Sequence, residues 1–310
     1  MMPEAVDNRS GFRQNHVGRG VIIRRMDIIL VRYAEMGLKS QAVRKRFERI
    51  LVDNMMSNLA DAGLEALITT EQGRIFVEPQ DIDRAIKVLK RVMGVASLSP
   101  VLRCRSDMET MKRVAGEYSK SLYHKGQSFA VRARRAGEHS FTSNDVGKEV
   151  GSAVWIANEE KGPKVDLKTP DLEIFVEVRE RNAYIFSEYV PGPGGLPMGS
   201  QGRVVALLER ERDALAAWLI MKRGCRIIAI ADEENEAVRI LRRWDADLKV
   251  VANGDLPEVS KKNRALAVVF GYGLDDFEKI KSIDVPVPAF FPLVGMSEEE
   301  IEERLSAIKR

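Results

Sequence analysis

RVVALLERERDALAAWLIMKRGCRIIAIA (203–231) begins with a short apolar run, passes through charged residues into strong helix formers, and closes on a second apolar run. That order predicts a strand, a helix and a second strand. The alternation continues with a helix through Trp244, LKVVA (248–252) and ALAVVFGYG (265–273). A closing helix starts at Ser297, whose hydroxyl and the Glu300 carboxylate are expected to form a capping box. Apolar strands alternating with helices predict a doubly wound parallel α/β (Rossmann-like) domain over 203–310, with its ligand crevice at the carboxyl ends of the strands.

PGPGGLPMGSQG (191–202) precedes this domain and reads as a linker, because it offers little to bury and much that bends. The unit before it, 105–190, is expected to hold a helix over 108–122, the strand SFAVRAR (128–134) and a helix from Thr142 or Ser143. LEIFVEVR (172–179) and AYIFSEYV (183–190) complete it as a hairpin around Glu180-Arg181-Asn182. Residues 27–104 alternate differently. IILVRY (28–33) is followed by a helix from Ser40 carrying Val43, Phe47, Ile50 and Leu51 on one face. The strands LEALITT (64–70) and RIFVEP (74–79) flank the turn Glu71-Gln72-Gly73. A helix from Asp81 to Gly94 and a strand over 95–104 finish a β-α-β-β-α-β, ferredoxin-like order. Residues 1–26 read as a flexible tail with Met26 as a natural start; a basic arm touching RNA is the other reading.

The 310 residues leave room for several cores, and 45% hydrophobic with 31% charged residues is an ordinary globular composition. No apolar run approaches the roughly 20 residues of a membrane-spanning helix, so no membrane partner is expected. Two cysteines, Cys104 and Cys225, lack ligand spacing and read as core thiols in a reducing, cytoplasmic protein. Of the histidines, His16 falls in the tail and His124 at a helix end, and no metal site is expected. The formal net charge is only +3, so attraction to nucleic acid must come from local clusters.

One such cluster is AVRARRAGEHSFTS (130–143), where period-two spacing places Arg132 and Arg134 on one face beside Arg135. The helix start at Thr142 and Ser143 offers unpaired N–H groups to an anion, Lys164 and Lys168 flank GPKVDLKTPD (162–171), and His139 lies in the basic loop. A phosphate track and a solvated strand face with an ordinary N-cap fit this spacing equally.

FAVRARRAGEHSFTSNDVGKEVG (129–151), KVDLKTPDLEIFVEVRERNAYIF (164–186) and GPGGLP (192–197) resemble a THUMP domain (α+β). IILVRYAEMGLKS (28–40), with GRVVALL (202–208), AAWLIMKRGC (216–225) and PLVGMSEEEI (292–301), is similar to the tRNA 4-thiouridine synthetase family, also tied to thiamine biosynthesis. The resemblance implies that the first two domains bind tRNA, gripping its acceptor end, and that the chain is a homodimer. It adds Arg32 and Lys39 to Arg132, Arg134, Arg135, Thr142, Ser143, Lys164 and Lys168 as candidate RNA contacts.

In that family the strand matched by VVALL runs into a Ser-Gly-Gly-x-Asp-Ser loop that wraps the phosphates of ATP. Here the chain reads ALLERERDALAAWL (206–219), with Glu209 and Glu211 where phosphate should approach. At about 4 Å, like charges in partly screened surroundings repel by roughly 4 kcal/mol, and no glycine remains to let the backbone approach. Arg210 and Arg212 offset charge without restoring the cradle. GYGLDDFEKI (271–280) replaces an expected Gly-Gln loop, the segment between LKVVA and ALAVV reads as missing a basic helix, and the family's sulfur-handling cysteine region is expected to be absent. These departures imply a tRNA-binding accessory of a separate tRNA-modifying enzyme, with no catalytic residues and no cofactor. The alternative is an active tRNA sulfurtransferase using ATP and Mg through Leu207, Leu208, Ala231 and Asp232. A third reading puts another small ligand near Asp213 and Asp232.

Overall fold

A computed structural model describes residues 26–33, 35, 40–71, 73–232 and 235–309. The expected tail over 1–25, the turn residue Gln72 and the candidate contact Lys39 lie outside the described residues.

Strands β1 (Ile28–Arg32), β2 (Ala66–Glu71), β3 (Arg74–Pro79) and β4 (Ser97–Arg105) alternate with helices α1 (Gln41–Asp61) and α2 (Ile82–Leu89) in the expected ferredoxin-like order. Phe47, Leu51, Met55 and Leu59 recur every fourth residue of α1 and are buried against Ile29, Val31, Ile75 and Val77 of the sheet. Asp81 starts α2 by accepting the Arg84 backbone N–H at 3.0 Å. The helix expected to reach Gly94 stops at Leu89, and the chain then turns until the Gly94 N–H meets the Gly194 carbonyl at 2.8 Å.

The next elements are α3 (Met108–Leu122), β5 (Ser128–Ala136), α4 (Ser143–Ala157), β6 (Lys164–Val165), β7 (Leu172–Arg179), β8 (Asn182–Phe186) and β9 (Val190–Pro191). The first two units, read separately from sequence, share one sheet of nine strands in the order β2-β3-β1-β4-β8-β7-β5-β6, with β9 also on β4. Strand β4 makes the join: Ser97 to Val101 pair with β1, and Leu102 to Arg105 pair with β8. Across the seam Phe76 stacks on Tyr184 with ring centroids 4.6 Å apart.

Glu177 of β7, only 4% exposed, sits where three arginines converge. Arg74 Nε donates to it at 2.9 Å, Arg179 hydrogen-bonds it directly, and Arg32 stands 3.5 Å away. Burial alone pushes this carboxyl up, but the Arg179 hydrogen bond and the charges of Arg74, Arg179 and Arg32 outweigh it and hold it below the usual carboxylate range.

The glycine-rich stretch at 191–202 is not a loose linker. Gly192 passes so close to the Val95 carbonyl, and Gly195 so close to that of Lys222, that a Cβ at either position would collide with it. Gly194 N–H donates to Val95 O at 2.8 Å, Leu196 N–H to Lys222 O at 3.0 Å, and Asn54 Nδ2 to Met198 O at 3.0 Å. Glycine here serves close backbone approach, so the segment straps the first domain to the third.

The third domain places β10 (Arg203–Leu207), β11 (Arg226–Ile230), β12 (Lys249–Val251), β13 (Ala267–Val269) and β14 (Ala289–Phe290) in one sheet, order β12-β11-β10-β13-β14. Every pairing in it is parallel. Helices α5 (Glu211–Lys222), α6 (Glu236–Arg242), α7 (Leu256–Asn263), α8 (Phe277–Lys281) and α9 (Glu298–Lys309) accompany the strands. The basic helix expected to be missing between LKVVA and ALAVV is present as α7, with Lys261 and Lys262 in its last turn; Asp255 and a proline start it within eight residues, too short for a clear period in the sequence. At α9 the Ser297 hydroxyl accepts the Glu300 N–H at 3.2 Å, while the Glu300 carboxylate turns to Arg304, so half of the expected box forms.

Replacing Glu177→Gln leaves three arginines around a neutral, buried amide and is expected to cost about 3–5 kcal/mol in denaturant unfolding near neutral pH. The depressed carboxyl stabilises the fold fully above its ordinary value of 4.5 and loses that contribution as pH falls through the lower folded value. The gap between wild type and Glu177→Gln should therefore close below that pH.

Candidate nucleic-acid interface

Helix α4 lies over β5 and the short edge strand β6, and a trench runs between them. Gly147, Gly151 and Trp155 share one face of α4 at four-residue spacing, and the two glycines leave its wall without side chains. The larger hollow, about 720 Å³, is lined by Phe129, Val131, Arg132, Lys148, Trp155, Ile156, Val165 and Leu167 among others. A second, of about 580 Å³, continues past Arg134, Ser143, Asn144, Glu173 and Phe175. Ile156 and Leu167 are 71% and 65% exposed and Trp155 is 41% exposed, an unusual grouping of apolar side chains in water. Such walls suit the faces of unstacked bases, and the rim supplies cations for phosphates.

The residues expected from sequence separate here. Arg132 and Arg134 do line the trench together with Ser143. Arg132 is already committed, its Nε donating to Glu173 at 2.7 Å and its terminal nitrogen to the Leu167 carbonyl at 2.9 Å. Arg134 is exposed on the strand. Lys164 and Lys168 are exposed beside the trench, and Lys168 is fixed through its backbone N–H, which donates to Asp166 Oδ1 at 2.8 Å. Arg135 points elsewhere and donates to the Gly137 carbonyl at 2.7 Å.

Two expectations need correction. Arg32 is 8% exposed, donates to Ser99 Oγ at 3.0 Å and lies over the rings of Phe186 and Tyr189 at 4.8 and 4.5 Å. Buried at the seam of the first two domains, it is out of reach of an RNA phosphate. Thr142 caps α4, but its N–H donates to Asp145 Oδ2 at 2.8 Å and its hydroxyl accepts the Asp145 N–H at 3.2 Å. Those N–H groups are taken, and the hydrogen bond from the Thr142 backbone holds the Asp145 carboxyl below its usual range, setting a negative charge where an anion was expected. The sequence reading missed Lys148, Trp155, Ile156, Val165 and Leu167; the i, i+4, i+8 series Gly147, Gly151, Trp155 was the signal.

At the other expected site, the turn after β10 is closed from within. The Asp213 carboxylate, in the first turn of α5 and 3% exposed, accepts the backbone N–H groups of Glu209 at 2.9 Å and Arg210 at 2.7 Å. Gly271, at the end of β13, lies against it so closely that a Cβ would strike Asp213. Arg210 reaches over the same point, 3.7 Å from Asp213, 3.6 Å from Asp276 and 5.7 Å from the Tyr272 ring. This is the gap between β10 and β13, the switch point at which such sheets bind ligands. Anionic oxygens of Asp213 hold the donors an ATP phosphate would need, so the residues present do not fit that group.

The remaining candidates for the nucleotide have little to offer. Leu208 N–H donates to Ile230 O at 3.0 Å, Leu208 O accepts from Asn235 Nδ2 at 3.0 Å, and Ala231 N–H donates to Val251 O at 3.3 Å. Leu207 pairs within the sheet, and Asp232 is exposed beyond β11. Burial pushes the Cys104 thiol up to about 12 and raises that of Cys225, which suits core thiols and not nucleophiles. His139 stacks on Phe141, ring centroids 5.2 Å apart, on another side of the second domain from the trench.

The ThiI ferredoxin-like domain family matches residues 28–99, and the THUMP domain family matches 105–188. A probable tRNA sulfurtransferase of Methanosarcina acetivorans is 44% identical over 208 residues, 66% of this chain and 50% of that protein. The tRNA sulfurtransferase of Thermoplasma volcanium is 32% identical over 327 residues, 89% of this chain and 66% of its own length. A solved protein of Pyrococcus horikoshii superposes with a TM-score of 0.78 at 30% identity, covering 91% of this chain and 99% of its own. A 4-thiouridine synthetase solved with RNA and bound ATP gives 0.72 at 25% identity, covering 91% and 84%. The chain spans about half the length of the curated relatives it matches. With both domain families, these relatives and the shared architecture in agreement, the chain belongs to the ThiI-like family of THUMP-domain proteins, that of the tRNA sulfurtransferases and 4-thiouridine synthetases.

Proposed function

We propose that this chain is a tRNA-binding accessory in tRNA modification, holding the single-stranded acceptor end of tRNA in the trench of its second domain and carrying out no ATP-dependent thiolation itself. The observation that carries the second half is Asp213, whose carboxylate takes the two backbone donors of the strand-to-helix turn. Displacing it to admit a phosphate would bring like charges together in a site that Gly271 and Arg210 already fill. The first half is supported by the trench, by the THUMP match and by a similar synthetase solved with RNA. The third domain then serves docking, either of a second copy of the chain or of a separate modifying enzyme. Its exposed Leu274, Phe277 and Phe290 support that use.

The competing reading, an active sulfurtransferase, is favoured by the names of the relatives and by the ATP bound in the related synthetase. Calorimetric titration of the protein with ATP and Mg²⁺ separates the two. No saturable uptake is expected; micromolar affinity, or AMP release that depends on tRNA, would establish the enzyme.

For RNA, Trp155→Ala is expected to weaken binding of a single-stranded acceptor-end oligonucleotide by about 1–3 kcal/mol, the loss of one stacked base. Arg134→Ala and Lys168→Ala should each lower the slope of log affinity against log salt for tRNA by about one. Unchanged affinity in all three variants would remove the trench as the RNA site.

A further inference from the structure

The opposite edge of the third-domain sheet carries a feature that the trench and the closed turn do not use. Arg203 heads β10, Arg226 heads β11, Lys249 heads β12, and Arg264 stands between α7 and β13. Four neighbouring parallel strands are thus each entered through a basic residue. Arg203, Arg226 and Arg264 line one open hollow of about 360 Å³ together with Gly199, Gly202 and Leu266.

Two local rules are broken to build it. Arg203 and Arg226 are direct register partners on adjacent strands, so like charges stand side by side where opposite or neutral pairs would stabilise the sheet. Arg264 adopts φ of +52°, a left-handed conformation that an arginine pays for and a glycine would not. Lys249 is held by Asn263 Oδ1 at 2.7 Å, but the partners of the arginines are weak. Arg203 reaches the Asn263 carbonyl at 3.5 Å, Arg226 stands 3.7 Å from Asp245, and the described residues supply no ion pair to Arg264. The dipole of α7 accounts for Lys261 and Lys262 in its last turn and favours Arg264 at its C-cap, but it does not account for Arg203 and Arg226, which open strands. Arg264 closes α7 in this conformation, its N–H donating to Lys261 O at 3.2 Å, but a glycine would do so without strain. Guanidinium groups that converge with donors to spare suit phosphate oxygens.

We propose that this arginine-headed edge of the third domain binds phosphates of the tRNA backbone, as a second contact separate from the trench that holds the single-stranded end. It rests on the tRNA reading and gives the third domain a task in which ATP has no part. The test is titration of full-length tRNA, and of a short single-stranded RNA that fills the trench alone, with wild type, Arg264→Gly and Arg203→Gln. Arg264→Gly relieves the left-handed backbone, so its melting temperature should hold or rise by about 2 °C. Its tRNA affinity should nonetheless fall several-fold at low salt, with a salt slope lower by about one, while the short RNA binds as before. Arg203→Gln should behave alike toward both RNAs.

Unchanged tRNA affinity and slope in both variants would overturn the proposal. So would saturable binding of inorganic phosphate at this edge with tRNA binding untouched, which would make it a site for small anions. Failure of the wild type to bind either RNA would sink the tRNA reading itself, and this proposal with it.

Discussion

Strand β4 is the constraint on which the arrangement of the first two domains rests. Its first half completes the ferredoxin-like sheet and its second half carries β8, so one continuous strand belongs to both domains. Everything hung on the second half, including α4 and the trench, takes its orientation from this strand. Glu177 fastens the same seam from the side-chain direction, drawing Arg32 and Arg74 of the first domain toward β7. A buried carboxylate among arginines is worth little against an apolar alternative, but each member becomes costly to remove once it is there. That explains why Arg32, which reads as a surface cation in isolation, is spent on the fold.

The turn after β10 illustrates competition for backbone donors. Unpaired N–H groups at a strand-to-helix turn attract an anion, and that anion can be a ligand or a side chain of the protein. Here Asp213 is covalently tethered, buried and reinforced by Arg210, so it acts as an anion at very high local concentration. Gly271 lets the end of β13 close over it. The same geometry that makes a phosphate cradle in one sequence makes a self-satisfied helix start in another, and the difference lies in one carboxylate and the bulk around it.

The trench works by the opposite rule, leaving surface unsatisfied. Gly147 and Gly151 strip one wall of side chains while Trp155, Ile156, Val165 and Leu167 stay exposed to water. Exposed apolar area of this kind raises the free energy of the unbound protein and is recovered when flat apolar groups enter. If RNA enters here as proposed, the exposed cations at the rim would act through phosphates without reading bases, and selectivity would come from the shape of the groove.

Periodicity and capping found the longer elements but not short ones such as α7. The Asp81 cap and the alternation over 203–231 depend on near neighbours, and sequence alone decides such things. On α1 the expected face was right at Phe47 and Leu51, but Val43 is exposed and Met55 and Leu59 continue the buried row. The sequence also singled out Arg134 and Ser143, which the fold brings to the trench, and Lys164 and Lys168, exposed beside it. Tertiary structure decided what each polar group was used for. Burial of Arg32, the strap made by Gly192 and Gly195, and the meeting of Asp213 with Gly271 all join residues far apart in the chain or depend on a backbone passing close by. A side chain's charge is written in the sequence, but its availability depends on which distant donors and acceptors reach it first, and only the folded chain fixes those distances.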